Sequence, residues 1–178
     1  MKKLLVLDKK NYTDKMPVYE KFSVRAVIVK DGKLATQLGS DGDYKILGGG
    51  IEAGEDYKTA IIREVKEEAG LVVKANSIVE IGEIEEKRED LYKKNIKYVC
   101  HSYFYFCDIT NDRVETHMTE SEIRKGYHLS WALPEEIIEG NKKFLNQPWI
   151  YRDTEFVKMY KNHEFDGVYA LSNETSIM

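Results

Sequence analysis

Three consecutive glycines, Gly48-Gly49-Gly50, and a fourth at Gly54 stand where the chain changes its hydrophobic period. Before them, Phe22 to Val29 (FSVRAVIV) is β-branched and apolar, as a central strand requires. After them, Ala60, Ile61, Val65 and Ala69 recur at three- and four-residue spacing, which predicts a helix over 56–69. Asp56 suits its N-cap and Gly70 its C′ position. A strand, a loop nearly free of side chains and a helix therefore follow in close order. Such a loop allows unusual φ values and close backbone approach to whatever the helix presents.

What the helix presents is acidic. At roughly 100° per residue, Glu64 and Glu68 lie about 40° apart around the axis, and Glu67 about 60° to the other side of Glu64. Ile61 and Val65 are left to face a core. Like charges at this spacing repel by a few tenths of a kcal/mol per pair when solvated, and a divalent cation reverses that sign. Mg²⁺ or Mn²⁺ takes oxygen ligands, and Mg²⁺ commonly joins a few carboxylates to water and substrate phosphates. A solvated acidic face is the plain alternative, and Glu-x-x-Glu-Glu alone would favour it. Glu52 and Glu55, held on the glycine loop at fixed distance from the helix, weigh against it.

The whole stretch resembles the Nudix hydrolase signature: Gly, five residues, Glu, seven residues, Arg-Glu, an aliphatic residue, one residue, Glu-Glu, one residue, Gly and a final aliphatic residue. Gly49, Glu55, Arg63, Glu64, Val65, Glu67, Glu68, Gly70 and Leu71 fill all nine defined positions over 23 residues. The resemblance extends more loosely over about residues 20 to 140, including Leu129-Ser130-Trp131-Ala132-Leu133-Pro134-Glu135-Glu136. Two positions depart from the common family form, which often has proline before the glycine pair and tryptophan three positions earlier. Leu47 and Tyr44 stand there, which bears on substrate fit and loop rigidity rather than on metal oxygens.

The resemblance implies an α+β fold, an α/β/α sandwich around a mixed β-sheet, and Mg²⁺- or Mn²⁺-dependent hydrolysis of a diphosphate linkage. It implies Glu64, Glu67 and Glu68 as the metal-binding core, with Glu55 and the Gly49 backbone as further candidates. Glu52 and Glu122 join the three as catalytic candidates, Glu122 as a loop carboxylate able to serve as base. Arg63 corresponds to a structural arginine, supported by Gly54 and Gly70. The substrates implied are nucleoside diphosphate derivatives such as ADP-ribose, or nucleoside triphosphates. Removal of an RNA 5′ cap or pyrophosphate, and a non-catalytic nucleotide-binding module, are the competing readings.

The remainder of the chain is read more coarsely. Residues 4–7 suit a short strand, and Asp31-Gly32 a tight turn returning Lys33 to Gln37 antiparallel. Further strands are expected over 71–79, 81–84, 96–109 and 129–132, a small helix over 134–139, and a C-terminal helix over 149–160. Residues 85–95 and 111–125 read as solvated loops. Aromatic candidates for a substrate pocket are Tyr44, Tyr103, Tyr105 and Trp131, together with Tyr98 and Phe106 on the 96–109 strand, and Tyr127 and His128 at the pocket edge; a structural role is the alternative for each. One domain over 1–162 and a tail over 163–178 are expected. The net charge of -4 and the absence of a basic stripe argue against nucleic acid as partner. A small nucleotide is the expected partner, with a second copy of the chain as a candidate. Cys100 and Cys107, an odd number of residues apart on one strand, point to opposite faces and make no disulfide framework. No segment reads as a membrane span or signal peptide, so the cytoplasm is the expected compartment.

Overall fold

The computed structural model describes residues 1–169; the rest of the expected tail lies outside the described residues. The elements in order are β1 (Lys3–Asp8), β2 (Val18–Val27), β3 (Val29–Lys30), β4 (Lys33–Leu38), β5 (Tyr44–Ile46), α1 (Tyr57–Ala69), β6 (Leu71–Val73), β7 (Val79–Glu89), β8 (Lys97–Phe106), β9 (Ile109–Arg113), α2 (Glu120–Arg124), β10 (His128–Ala132), α3 (Pro134–Asn141) and α4 (Pro148–Lys161).

The central sheet has the order β1-β7-β8-β2. β7 and β8 are antiparallel, while β1 and β2 each run parallel to their neighbour, so the sheet is mixed. A smaller sheet, β10-β4-β3 with β5 also on β4, stands beside it, and β6 pairs with β9. Alternation along β2 divides the two faces. Val24 and Ala26 join Ile61 and Val65 of α1 in one core. On the other face Phe104 and Phe106 of β8 join Ile137 of α3 and Phe156 and Val157 of α4. Phe104 stacks on Phe156 at 4.1 Å between ring centroids. Each such side chain removed from water stabilises the fold by about 1.5–3 kcal/mol. Helices on both faces of a mixed sheet make the α/β/α sandwich expected above.

Several local expectations change. Glu85, Glu86 and Arg88 are not loop residues; they belong to β7 and are buried. Each is compensated: Glu85 by Lys3 and Lys87, Glu86 by Arg152, and Arg88 by its stacking over Tyr98 at 4.0 Å. Hydrophobic periodicity does not register a strand whose interior is built from paired charges. The 111–125 stretch contains the end of β9 and the helix α2, which Thr119 and Glu122 start through a reciprocal capping box. The strand expected over 71–79 stops at Val73 and gives way to a 3₁₀ turn at Ala75–Ser77. Both cysteines are buried and free. Of the expected tail, Phe165 is buried and stacks on Phe156 at 5.2 Å.

Two polar anchors fix β5, the strand that leads into the glycine run. Asn141 accepts from the Tyr44 N–H at 2.7 Å and donates to the Tyr44 carbonyl at 3.1 Å. Asp153 of α4 accepts from the Ile46 N–H at 3.0 Å and pairs with Arg152 at 2.7 Å, and Arg152 reaches Glu86 at 3.3 Å. All four side chains are buried. The sheet, α4 and the strand before the glycines are thereby tied together.

Candidate functional site

Beyond β5 the chain runs back along β2. Val24 N–H donates to the Gly49 carbonyl at 3.0 Å, Ala26 N–H to Leu47 at 2.8 Å, and Ile51 N–H to Phe22 at 3.0 Å. This close approach explains the first glycine. Gly48 has φ +131°, and a Cβ there would stand 2.2 Å from the Val24 carbonyl oxygen. Gly49 is required for another reason: its Cβ would fall 2.4 to 2.6 Å from the Glu64 carboxylate. Gly50 has room, with only Lys21 Cε at 3.6 Å.

α1 begins and ends as its sequence predicts. Asp56 accepts from the Thr59 N–H at 2.8 Å, and Gly70 closes the helix with φ +63°. Glu64, Glu67 and Glu68 all face a cavity of about 530 Å³, together with Glu52, Glu122 and the Gly48–Gly50 backbone. Glu68 is only 4% exposed and accepts from the Gly48 N–H at 2.7 Å. Burial pushes its carboxyl up to about 8, against the pull of Lys45, the Gly48 N–H and Arg25. Burial also raises Glu64, although Arg63 opposes it. Glu122 behaves differently. Burial works against its charge, but the Thr119 N–H and hydroxyl, at 2.9 and 2.8 Å, and Lys45 outweigh that and hold it below the usual carboxylate range. Its other oxygen lies 3.6 Å from Lys45 Nζ.

Arg63 ties the loop to the helix. Its Nε and Nη2 each donate to Glu55 at 2.8 Å, Nη2 to the Gly50 carbonyl at 2.9 Å, and Nη1 to Glu64 at 2.8 Å and Glu67 at 3.3 Å. Glu55 is therefore engaged through both oxygens, and a two-point fork of this kind is among the stronger charged contacts. Glu52 is exposed at the cavity mouth. Gly54 takes φ +81° in open space. Among the described residues no three His, Cys, Asp or Glu side chains converge closely enough to hold a metal ion. The donor chemistry nonetheless fits Mg²⁺ or Mn²⁺: hard carboxylate oxygens line one cavity, and Glu68 is buried with its charge poorly compensated.

The aromatic candidates lie elsewhere. Tyr103 and Tyr105 pack with Tyr57 on the α1 side of the sheet, with ring centroids 5.0 and 6.3 Å away. Tyr44 packs on the α4-side core, and Trp131 lines a separate cavity with Lys74 and Asp108. None of the four lines the glutamate cavity. His128 is exposed, whereas Tyr127 lines an adjoining cavity, under Lys45 at 4.3 Å. Arg25 and Lys45 escaped the sequence reading. The available signal was a lone cation in each of two apolar strands, FSVRAVIV and YKIL.

Fold and site together define an α/β/α-sandwich protein that sets an acidic helix against a glycine loop. The NUDIX domain model matches residues 21–152, and the chain belongs to the Nudix family, hydrolases that act on nucleotide-derived diphosphate compounds. Among solved structures, a NUDIX hydrolase from Nitrosomonas europaea is similar with TM-score 0.53 and 20% identity, over 69% of this chain and 78% of that one. A nudix hydrolase family member from Chromobacterium violaceum is similar with TM-score 0.51 and 14% identity, over 89% and 94%. At these identities the likeness concerns the fold. No curated protein matches the sequence. No helix among the described residues is long and apolar enough to cross a membrane.

Proposed function

We propose that this chain hydrolyses the diphosphate linkage of a small nucleotide, a nucleoside diphosphate derivative or a nucleoside triphosphate, at the cavity lined by Glu64, Glu67 and Glu68. The observation that carries this reading is Glu68, a carboxylate 4% exposed whose proton affinity burial has raised. Buried carboxylates are stable when paired or when they coordinate a cation. Glu64, Glu67 and Glu68 would hold Mg²⁺ or Mn²⁺, which when bound neutralises diphosphate charge and lowers the pKa of water. Glu55 and Arg63 brace the loop against the helix. Glu52 stands at the mouth, where a carboxylate can orient water. Glu122, kept ionised by Thr119 and Lys45, is the best-placed proton acceptor, with one oxygen directed away from its cap.

The test is a hydrolysis screen with Mg²⁺ or Mn²⁺ over ADP-ribose, nucleoside triphosphates, dinucleoside polyphosphates and capped RNA. Turnover of at least one small nucleotide is the expected result, and Glu68→Gln should lower it by at least about a hundredfold, the scale of losing one electrostatic contact to the reacting phosphate. The same variant should be no less stable than wild type without metal, because the amide still accepts from Gly48 and carries no buried charge. Full metal-dependent turnover by Glu68→Gln would remove the glutamate helix from the chemistry.

A further inference from the structure

A second cavity, of about 280 Å³, adjoins the glutamate cavity and shares Lys45, Gly48, Thr119 and Glu122 with it. A third, of about 400 Å³, continues from the second through Tyr92 and Trp149. The three form one groove whose chemistry changes along its length, from carboxylates, through cations, to aromatic rings.

The middle section sets four cations, Arg25, Lys45, Lys125 and Arg152, against two carboxylates, Glu122 and Asp153. Among the described residues Arg25 donates only to main-chain carbonyls, Val24 at 3.2 Å and Gly48, and its buried Nε has no partner. Burial, and then repulsion from Arg152, lowers its pKa, and the attraction of Asp153 and Glu68 offsets this only in part. Arg152 itself engages Asp153 and Glu86, which divides the charge of Asp153 between the two arginines. Lys125 carries no ion pair among the described residues and lies 5.5 Å from the Trp149 ring. Lys45 pairs with Glu122 at 3.6 Å and also attracts Glu68. The first turn of α4, where Trp149 sits, contains no acidic residue.

The far section offers flat apolar surfaces. Trp149 is half-buried, and Tyr92 is 86% exposed, so both rings have open face towards the groove. A ligand that is anionic in its middle and aromatic at one end matches this order. We infer that the groove holds the nucleotide end of the substrate, with the phosphate next to the attacked linkage at Arg25, Lys45 and Lys125 and the base against Trp149 and Tyr92. This rests on the hydrolase reading and deepens it: substrate selection lies with α4, the 91–96 loop and Tyr98 at the start of β8 rather than with Tyr103 and Tyr105 further along that strand.

The chain has two tryptophans, and Trp131 lies outside the groove. Trp131→Phe therefore leaves Trp149 as the reporter. Titration with adenosine, guanosine, cytidine and uridine monophosphates should quench it saturably for at least one base, and inorganic phosphate should not. Trp149→Leu should weaken the calorimetric affinity for that nucleotide by about tenfold, within the range for loss of one base–aromatic stack. Lys125→Met should weaken it less, with the loss shrinking as salt rises. Calorimetric binding with Trp149 emission unchanged overturns the assignment, as does turnover with an unaltered KM in Trp149→Leu; both leave the hydrolase reading standing. Absence of both turnover and nucleotide binding would remove the two together.

Discussion

Alanine placed in turn at Gly48, Gly49 and Gly50 should give three different proteins. At Gly48 a Cβ meets main chain, the Val24 carbonyl oxygen at 2.2 Å, and the residue is held at φ +131°. Neither can relax without moving the loop off β2 and breaking its bridges to Val24 and Ala26. Adding about 1–3 kcal/mol for the backbone conformation to about 1–3 kcal/mol for overpacking gives a loss of about 2–6 kcal/mol. For a domain of this size that is a fall in Tm of roughly 5–20 °C. At Gly49 the obstacle is the end of a flexible side chain, Glu64, at 2.4 Å. The fold should lose only about 1 kcal/mol, but Glu64 must leave its place beside Arg63, so turnover should fall by tenfold or more, equivalent to about 1.4 kcal/mol. At Gly50 nothing lies closer than 3.6 Å and φ is not positive. Alanine there should be neutral or stabilise by about 0.4–1 kcal/mol through the unfolded state. Thermal unfolding by circular dichroism and a fixed-substrate rate assay separate the three. Equal Tm values for the Gly48 and Gly50 variants would refute the close-approach argument, and full activity at Gly49 would refute the contact with Glu64.

Arg152→Ala should destabilise the protein by about 3–5 kcal/mol, because Glu86 and Asp153 are left buried without their partner; denaturant unfolding measures it, and a change within about 0.5 kcal/mol would show that the cluster does not anchor α4. His101 supplies a pH dependence. Burial lowers its proton affinity, but Glu83 at 2.6 Å and Glu20 at 2.9 Å outweigh it and raise its pKa, with Lys3 3.9 Å from Glu83. The folded state therefore binds the proton more tightly, so this contribution is complete below about pH 6.5 and disappears as pH rises through the folded pKa. The Tm of wild type should fall more steeply between about pH 6 and pH 9 than that of His101→Gln; parallel curves would contradict it.

The parts of this molecule that were legible beforehand are those where one physical requirement acts alone. The helix 56–69 was visible because its period, its cap at Asp56 and its end at Gly70 are all local signals, and all three are present in the structure. That Glu64, Glu67 and Glu68 line one cavity followed from helical angles, although among the described residues they do not close on a single point. What escaped was decided between distant segments. The second half of β7, Glu85 to Glu89, reads as a charged loop until Arg152, 66 residues after Glu86, pairs with it. Arg25 reads as an oddity in an apolar strand until β2, the glycine run and α4 come together around it. The glycine triplet looked like a single device for openness, yet each member answers a different neighbour: Gly48 the β2 backbone, Gly49 a carboxylate, and Gly50 little more than solvent and Lys21. Gly48 also joins the carboxylate and cation sections of the groove, its N–H donating to Glu68 and its carbonyl accepting from Arg25. A shift of that one residue would therefore move the partners of the buried carboxylate and of Arg25 together.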